Sequence, residues 1–373
     1  PLVTATTMEL PSKSTRKEIF DFVEKELLAA IPNLGEGVGG QFYGRMTKWA
    51  AKTLLANLYL NAQVYINEPK WNECISQCND IINSGKFALS NNYKDPFRST
   101  GVEDCKEVIF TVPFDENFGG GNMIHMFSWH GELKKKFNLI DTPWGCGSAM
   151  GISQFINTYH EKDSRLADSW LMGQQYASDG SLLYGTYDKM GEPLIYTKDI
   201  PSGNYTSEME GYRMNKYAVG EGSFTNSNTD IPLFRYAEVL MMKAECLLRA
   251  GEAGAGVLVT EVRQRAFKEN PELAAVTDNQ LKENSCYEYG YVENYQIVDK
   301  GNTDIVPFGR MYDELGWEFA WEMHRRRDAI RFGVYTTKSW LSHKPEGDYR
   351  SVFPIPESVL TSNPKLEQNP NYL

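Results

Sequence analysis

The 373-residue chain has no run of about 18 apolar residues, the length a helix needs to cross a bilayer, so no membrane-spanning helix is expected. It has no excess of basic charge either. Lys and Arg number 38 against 49 Asp and Glu, a net of −11, and no basic patch is interleaved with aromatics, which argues against a nucleic-acid partner. Cysteine is scarce and scattered. Cys74, Cys78, Cys105, Cys146, Cys246 and Cys286 do not form the clustered tetrad that zinc requires. Cys74 and Cys78, four apart on an apolar helix face, are expected as buried packing. Catalytic signatures are missing as well: there is no G-x-S-x-G elbow, no H-E-x-x-H, and no Walker loop, since Gly119-Gly120-Gly121 is not followed by Lys-Ser/Thr. Glycoside hydrolysis needs only two carboxylates, so the acids leave a helical glycoside hydrolase open as an alternative. The chain opens at Pro1-Leu2-Val3 without an initiator Met, a signal peptide or a lipid-attachment cysteine, as a mature or truncated product would.

What is abundant is helical periodicity and aromatic rings, 13% of residues with 21 tyrosines. The richest stretch is 312–333, YDELGWEFAWEMHRRRDAIRFG. Its apolar residues recur at three- and four-residue steps, predicting one helix with a buried side. Glu318, Glu322, Arg325, Arg326, Arg327, Asp328 and Arg331 crowd it, with acids three or four residues before arginines (Glu322 before Arg325 and Arg326, Asp328 before Arg331) at ion-pair spacing; Trp317 and Trp321 are predicted to stack on one side, and Gly333 to cap the helix in the left-handed conformation. Further helices are predicted from the Thr15–Glu18 capping box to Pro32, over 47–65, from Lys70 to Gly85, over 148–159, over 231–248 and over 256–267. A strand is predicted at 107–112, irregular chain at 271–311, and a proline-held extended tail after residue 353. Helix, short turn, helix with alanines at the crossing (Ala50, Ala51, Ala56, Ala62) is the pattern of tetratricopeptide-like pairs. The fold class expected is therefore mainly α, a scaffold of such pairs with a large loop-rich region and little β. The chain divides into a helical region at 1–86, a loop-rich region at 87–230 and C-terminal helices with a wrapping tail at 231–373. Long loops without their own secondary structure are usually functional, which places the binding surface in the middle region.

The blocks FRYAEVLMMKAE (within 231–248), EVRQRA (261–266), EFAWEMHRRRDAIRFG (318–333) and FPIP with QNPNY (353–372) resemble the SusD/RagB family of outer-membrane glycan-capture lipoproteins of Bacteroidetes; GRMTKWAAKTLLANLYLN (44–61) is similar to its second helical repeat. The resemblance implies a single domain with a tetratricopeptide-like scaffold and a loop-built glycan face. It implies cell-surface polysaccharide or oligosaccharide binding without catalysis, and delivery to a SusC-like TonB-dependent outer-membrane transporter. It also implies a place on the extracellular face of the outer membrane, held by a lipid anchor that belongs, with the first helical repeat, to a region preceding Pro1. A tetratricopeptide scaffold for protein partners only is the remaining alternative.

A sugar offers apolar C–H faces ringed by hydroxyls, so its site needs exposed flat aromatics with polar side chains beside them. Trp144, in the tight loop DTPWGCG at 141–147, resembles the position of a platform tryptophan in the starch-binding member of the family, and Phe118, in ENFGGGN, that of a second platform aromatic. Phenylalanine there removes a hydroxyl. Cys146 is placed beside the same pocket, and Asp141, Tyr212, Arg213 and Tyr184 are loop residues able to bond hydroxyls. Trp129 and His130, in MFSWHG, are expected as core, and the arginines of 325–331 as structural ion pairs. No catalytic residue, metal or cofactor is expected; a structural calcium ion on acid-rich loops is the one exception entertained, without an EF-hand spacing to support it. The expected ligand is a neutral glycan, because few basic residues lie near the proposed face, and the departures from the starch-binding member make a fructan the first guess.

Overall fold

Thr15 sets the first helix of the computed structural model, α1 (Arg16–Ala30). Its hydroxyl accepts from the Glu18 N–H, and the Glu18 carboxylate accepts from the Thr15 N–H in return, the reciprocal cap read in the sequence. The structure describes residues 1–115, 118–145, 149–203 and 207–372. Helix α2 (Lys48–Leu60) begins under Thr47 in a similar way. Ala50, Ala51, Ala56 and Ala62 are fully buried, small enough to bring α2 close against α3 (Trp71–Asn83). Cys74, Cys78 and Ile81 form the inner stripe of α3 and press on α4 (Tyr236–Ala250); burial pushes the Cys74 thiol well above its ordinary value. Helix α5 (Ala255–Gln264) packs on α4. One apolar core runs from Phe20 through these helices to Val334, so both ends of the chain share it.

The structure corrects several boundaries. Strand β1 (Val108–Val112) pairs antiparallel with β2 (Ile231–Arg235), so the helix expected from residue 231 starts only at Tyr236. Pro232, which has no N–H to give a helix, sits in that strand opposite Thr111. The helix expected over 148–159 shrinks to Ser153–Ile156, because Gly151 pairs with Tyr212 instead. Within 271–311, Gly290–Glu293 pairs with Gln296–Asp299 and with Trp340–Leu341. The tail is not wholly extended: Glu357–Ser362 is helical directly after Pro356, where a missing N–H costs nothing.

The largest correction falls on 312–333, which is two helices, α6 (Gly309–Glu318) and α7 (Arg325–Arg331). Between them Trp321 and Met323 take φ of 68° and 61°, and the two tryptophans part: Trp317 Nε1 donates to Thr158 Oγ1 and Trp321 Nε1 to the Ser169 carbonyl. Two left-handed residues cost about 1–2 kcal/mol each, more than intrahelical ion pairs at about 0.2–0.5 kcal/mol each would return. The break is held by what Glu318 and Glu322 reach. Arg235 Nη1 meets Glu318 Oε1 at 2.7 Å and Glu107 Oε1 at 2.9 Å, and Arg235 Nε meets Glu322 Oε2 at 2.7 Å. Arg265 joins Glu107 and Glu318, Lys216 joins Glu322, and Arg165 joins Asp163 and Glu318. All these side chains are buried. Arg165 and Lys216 belong to the loop-rich middle, so this network fastens that region to the helical body. Of the four arginines expected in ladders, Arg331 pairs with Glu245 and Asp328 and Arg327 with Glu238. Arg325 instead lies over the Tyr312 ring at 3.5 Å, and Arg326 over Phe353 at 4.3 Å.

Two expectations for stability follow. Gly333 has φ of 70° with open space around it, its N–H donating to Ile330 O (3.1 Å) while Val334 N–H donates to Ala329 O (2.8 Å). Gly333→Ala should therefore cost about 1 kcal/mol in a denaturant titration, a purely conformational penalty. Acid should act through the network. Burial alone would raise the Glu318 carboxyl, but Arg265, Arg235, Arg165 and Lys216 hold it well below its ordinary 4.5; Glu322 is lowered by Arg235 and Lys216 against the same burial. A carboxylate depressed in the folded state contributes stability that is present above its unfolded value and lost as pH falls below it. Unfolding midpoints should thus decline below pH 4.5, and a flat profile down to about pH 3 would contradict the pairing.

Candidate functional site

Three loop segments meet around the short helix Ile124–Ser128. The loop at 141–145 is drawn onto it by the Trp144 N–H, which donates to the Met126 carbonyl at 3.2 Å. Gly145 makes that approach possible: a Cβ there would lie 2.1 Å from the Phe127 carbonyl carbon and 2.6 Å from the Ser128 nitrogen, so only glycine fits. The Trp144 indole is thereby set edge-to-face on Phe127, centroids 4.8 Å apart and planes at 69°. Trp144 is 50% and Phe127 45% exposed. Asp141 holds the loop from its other end, accepting from Thr225 N (2.7 Å) and Oγ1 (2.6 Å); those two bonds hold its carboxyl below the usual range. Phe224, next to Thr225, is also exposed.

Phe118 precedes Gly119, which pairs with Asp115, and its own N–H donates to Asp115 Oδ1 at 2.9 Å. It is 95% exposed, and Gly120 lies against Asn226, in the same 222–229 segment that Asp141 grips. Trp144, Asp141 and Phe118 are thus set on adjoining loops. The other residues are placed differently. Tyr184 is half-exposed on a separate meander. Tyr212 is partly buried, pairing through its backbone with Gly151 and packing into the interior. Arg213, expected to bond hydroxyls, is buried instead: its guanidinium lies 5.2 Å from the centre of the Tyr196 ring and donates to the Glu208 carbonyl at 3.1 Å. Cys146 lies outside the described residues. Trp129 and His130 are buried, as expected.

Phe127 lies in MFSWHG, a run expected as core, yet it is exposed. The missing signal is the helical turn of 124–128, which buries His125, Met126 and Ser128 and leaves Phe127 outward. Periodicity also gives no sign of a concavity of about 630 Å³ lined by Trp170, Tyr287, Tyr289, Trp321, Tyr335 and Trp340 together with Arg325, Ile124 and Met150. It lies along the break between α6 and α7.

The arrangement offers stacking surfaces and hydrogen-bond partners. Among the described residues no group of three or more His, Cys, Asp or Glu is placed to hold a metal ion. A family model described as the SusD family matches residues 106–372. The starch-binding protein SusD of Bacteroides thetaiotaomicron is 25% identical over 406 residues, covering 98% of this chain and 67% of its own length. A SusD-like protein of Formosa agariphila is 24% identical over 345 residues, covering 87% of this chain and 58% of its own length. This chain therefore spans about three-fifths to two-thirds of these curated relatives. Among solved structures, a SusD-like carbohydrate-binding protein of Bacteroides fragilis superposes with a TM-score of 0.69 at 19% identity, over 98% of this chain and 75% of its own. Surface glycan-binding protein A of Bacteroides thetaiotaomicron, in complex with laminarihexaose, gives 0.67 at 17%, over 96% and 72%. At these identities the likeness speaks for the fold.

Proposed function

The chain belongs to the SusD family, and from that we propose that it binds a neutral polysaccharide or oligosaccharide at the cell surface and delivers it, unaltered, to a SusC-like TonB-dependent transporter of the outer membrane. The observation that carries the binding step is the half-exposed indole of Trp144 braced on Phe127. A flat, half-exposed apolar ring braced by a second ring is held in place at little entropic cost, which suits contact with the C–H face of a sugar. Asp141 and Phe118 stand on the adjoining loops, whereas Tyr184 lies apart from this seat on its own meander. The relatives' names support the class of ligand: one is called starch-binding, and another was solved with laminarihexaose.

Stacking and a few hydrogen bonds hold a sugar modestly. The expected dissociation constants are micromolar to millimolar, roughly −8 to −4 kcal/mol, and handing cargo onward requires release. The test is an affinity-gel screen against starch, fructans, xylans, mannans and host glycans. One neutral polymer should be retarded with no new reducing ends. Release of reducing ends that disappears on removing a single carboxylate would establish the hydrolase reading instead, and failure to bind any glycan would leave a protein-binding scaffold. A second seat has one observation behind it, the aromatic concavity beneath Trp321. Were that the glycan site, Trp340→Ala and not Trp144→Ala would weaken retardation.

A further inference from the structure

The segment from Gly173 to Tyr196 forms a small meander with two unlike faces. Gly173 and Gln174 pair with Tyr196 and Ile195, Tyr176 bridges Leu182, and Tyr184 bridges Pro193. Inward, Gln175, Leu183, Leu194 and Tyr196 are buried; outward, Tyr176 and Tyr184 are each 45% exposed, beside Leu182 and Ile195. The turn that follows Tyr184 carries Tyr187, 62% exposed.

That turn is held from beneath. The N–H groups of Thr186 (3.0 Å), Tyr187 (3.0 Å) and Lys189 (2.8 Å) all donate to the carboxylate of buried Glu208, which also meets His130 Nε2 at 2.7 Å. Asp188 returns the tie, its Oδ1 accepting from the Glu208 N–H at 3.1 Å. Gly185 lets the turn close, since a Cβ there would come within 2.4 Å of the Lys189 carbonyl oxygen. Burying a carboxylate is costly unless several donors meet it, and here they are spent on fixing a turn whose outer side is exposed aromatic surface. Such fixing lowers the ordering cost of whatever binds there.

The surface chemistry narrows the ligand. Tyrosines give ring faces with hydroxyl edges. The charges nearby are mixed and largely paired, Lys189 standing 3.7 Å from Glu192 and Lys135 2.5 Å from Glu132, with Asp188 engaged, which favours a neutral ligand. The meander is also tied toward the Trp144 loop: the Ser178 N–H donates to Lys135 O (3.1 Å) and its Oγ to Asn138 Oδ1 (2.7 Å), while Lys134 Nζ donates to Ile140 O (2.6 Å). We infer that Tyr176, Tyr184 and Tyr187 form a second seat for the neutral glycan, engaged by chains longer than the Trp144 seat holds. This rests on the glycan-binding reading above.

The test titrates the polymer retained in the screen, and a short oligosaccharide of the same sugar, against wild type, Trp144→Ala and the triple variant Y176A/Y184A/Y187A. The triple variant should bind the polymer about fivefold or more weakly and the short oligosaccharide as wild type does. Glu208→Gln, which loosens the turn without removing a ring, should weaken polymer binding in the same direction. Polymer affinity within about twofold of wild type in the triple variant overturns the proposal. If Trp144→Ala leaves both affinities intact while the triple variant loses the polymer, the Trp144 seat fails and this one stands. If wild type binds no glycan, both fall.

Discussion

Replacing Arg235 with leucine should lower the free energy of unfolding by about 3–5 kcal/mol, the cost of taking one partner out of a buried ionic cluster. Arg235 is 1% exposed and is the common partner of Glu107, Glu318 and Glu322, with its Nη2 also donating to the Glu318 carbonyl at 2.9 Å. Without it Glu322 keeps Lys216, while Glu107 and Glu318 keep Arg265. The local charge turns negative in a place water does not reach. The sign of a double substitution is informative: Arg235→Leu with Glu322→Leu removes opposite charges together and should cost less than the sum of the single changes. Urea titrations followed by tryptophan fluorescence measure both. A loss under about 1 kcal/mol for Arg235→Leu would mean that the cluster is wet enough to tolerate an unpaired charge.

Trp144→Ala is expected to weaken binding of the retained glycan by about ten- to thirtyfold, roughly 1.4–2 kcal/mol. Because the indole is half-exposed, its removal should leave the unfolding midpoint nearly unchanged, which separates lost contact from lost fold. Trp144→Phe keeps a flat face with less area and should fall between. Phe127→Ala should also weaken binding, although it need not touch the sugar, by releasing the edge-on brace 4.8 Å away. Unaltered affinity in Trp144→Ala would remove this loop from the binding surface.

Local signals were legible where their partners are near in sequence. The Thr15–Glu18 cap, the alanine crossing of α2 and the Cys74–Cys78 stripe each depend on residues within a turn or two. The break between α6 and α7 was hidden because its cause lies far along the chain: Glu318 and Glu322 are claimed by Arg235, Arg265, Lys216 and Arg165. β2 was hidden for the same reason, its partner β1 lying over a hundred residues earlier. At the site, a tryptophan beside proline and glycine stood out as an exposed ring, whereas Phe127 looked like its buried neighbours Met126 and Trp129. Arg213 looked like any loop arginine. Only the packing of Tyr196 and the Glu208 carbonyl around it shows that it faces inward.

The buried charge cluster also imposes an order on synthesis. Arg165 and Lys216 leave the ribosome long before Glu318 and Glu322, the acids they meet in the folded chain. Until those acids arrive, Lys216 lacks the Glu322 carboxylate and Arg165 has Asp163 but not Glu318 to meet. The loops around Trp144 therefore mature late, with the last helices, and a nascent chain halted before Glu318 would carry Trp144, Phe127 and Phe118 without the anchor that fastens the middle region.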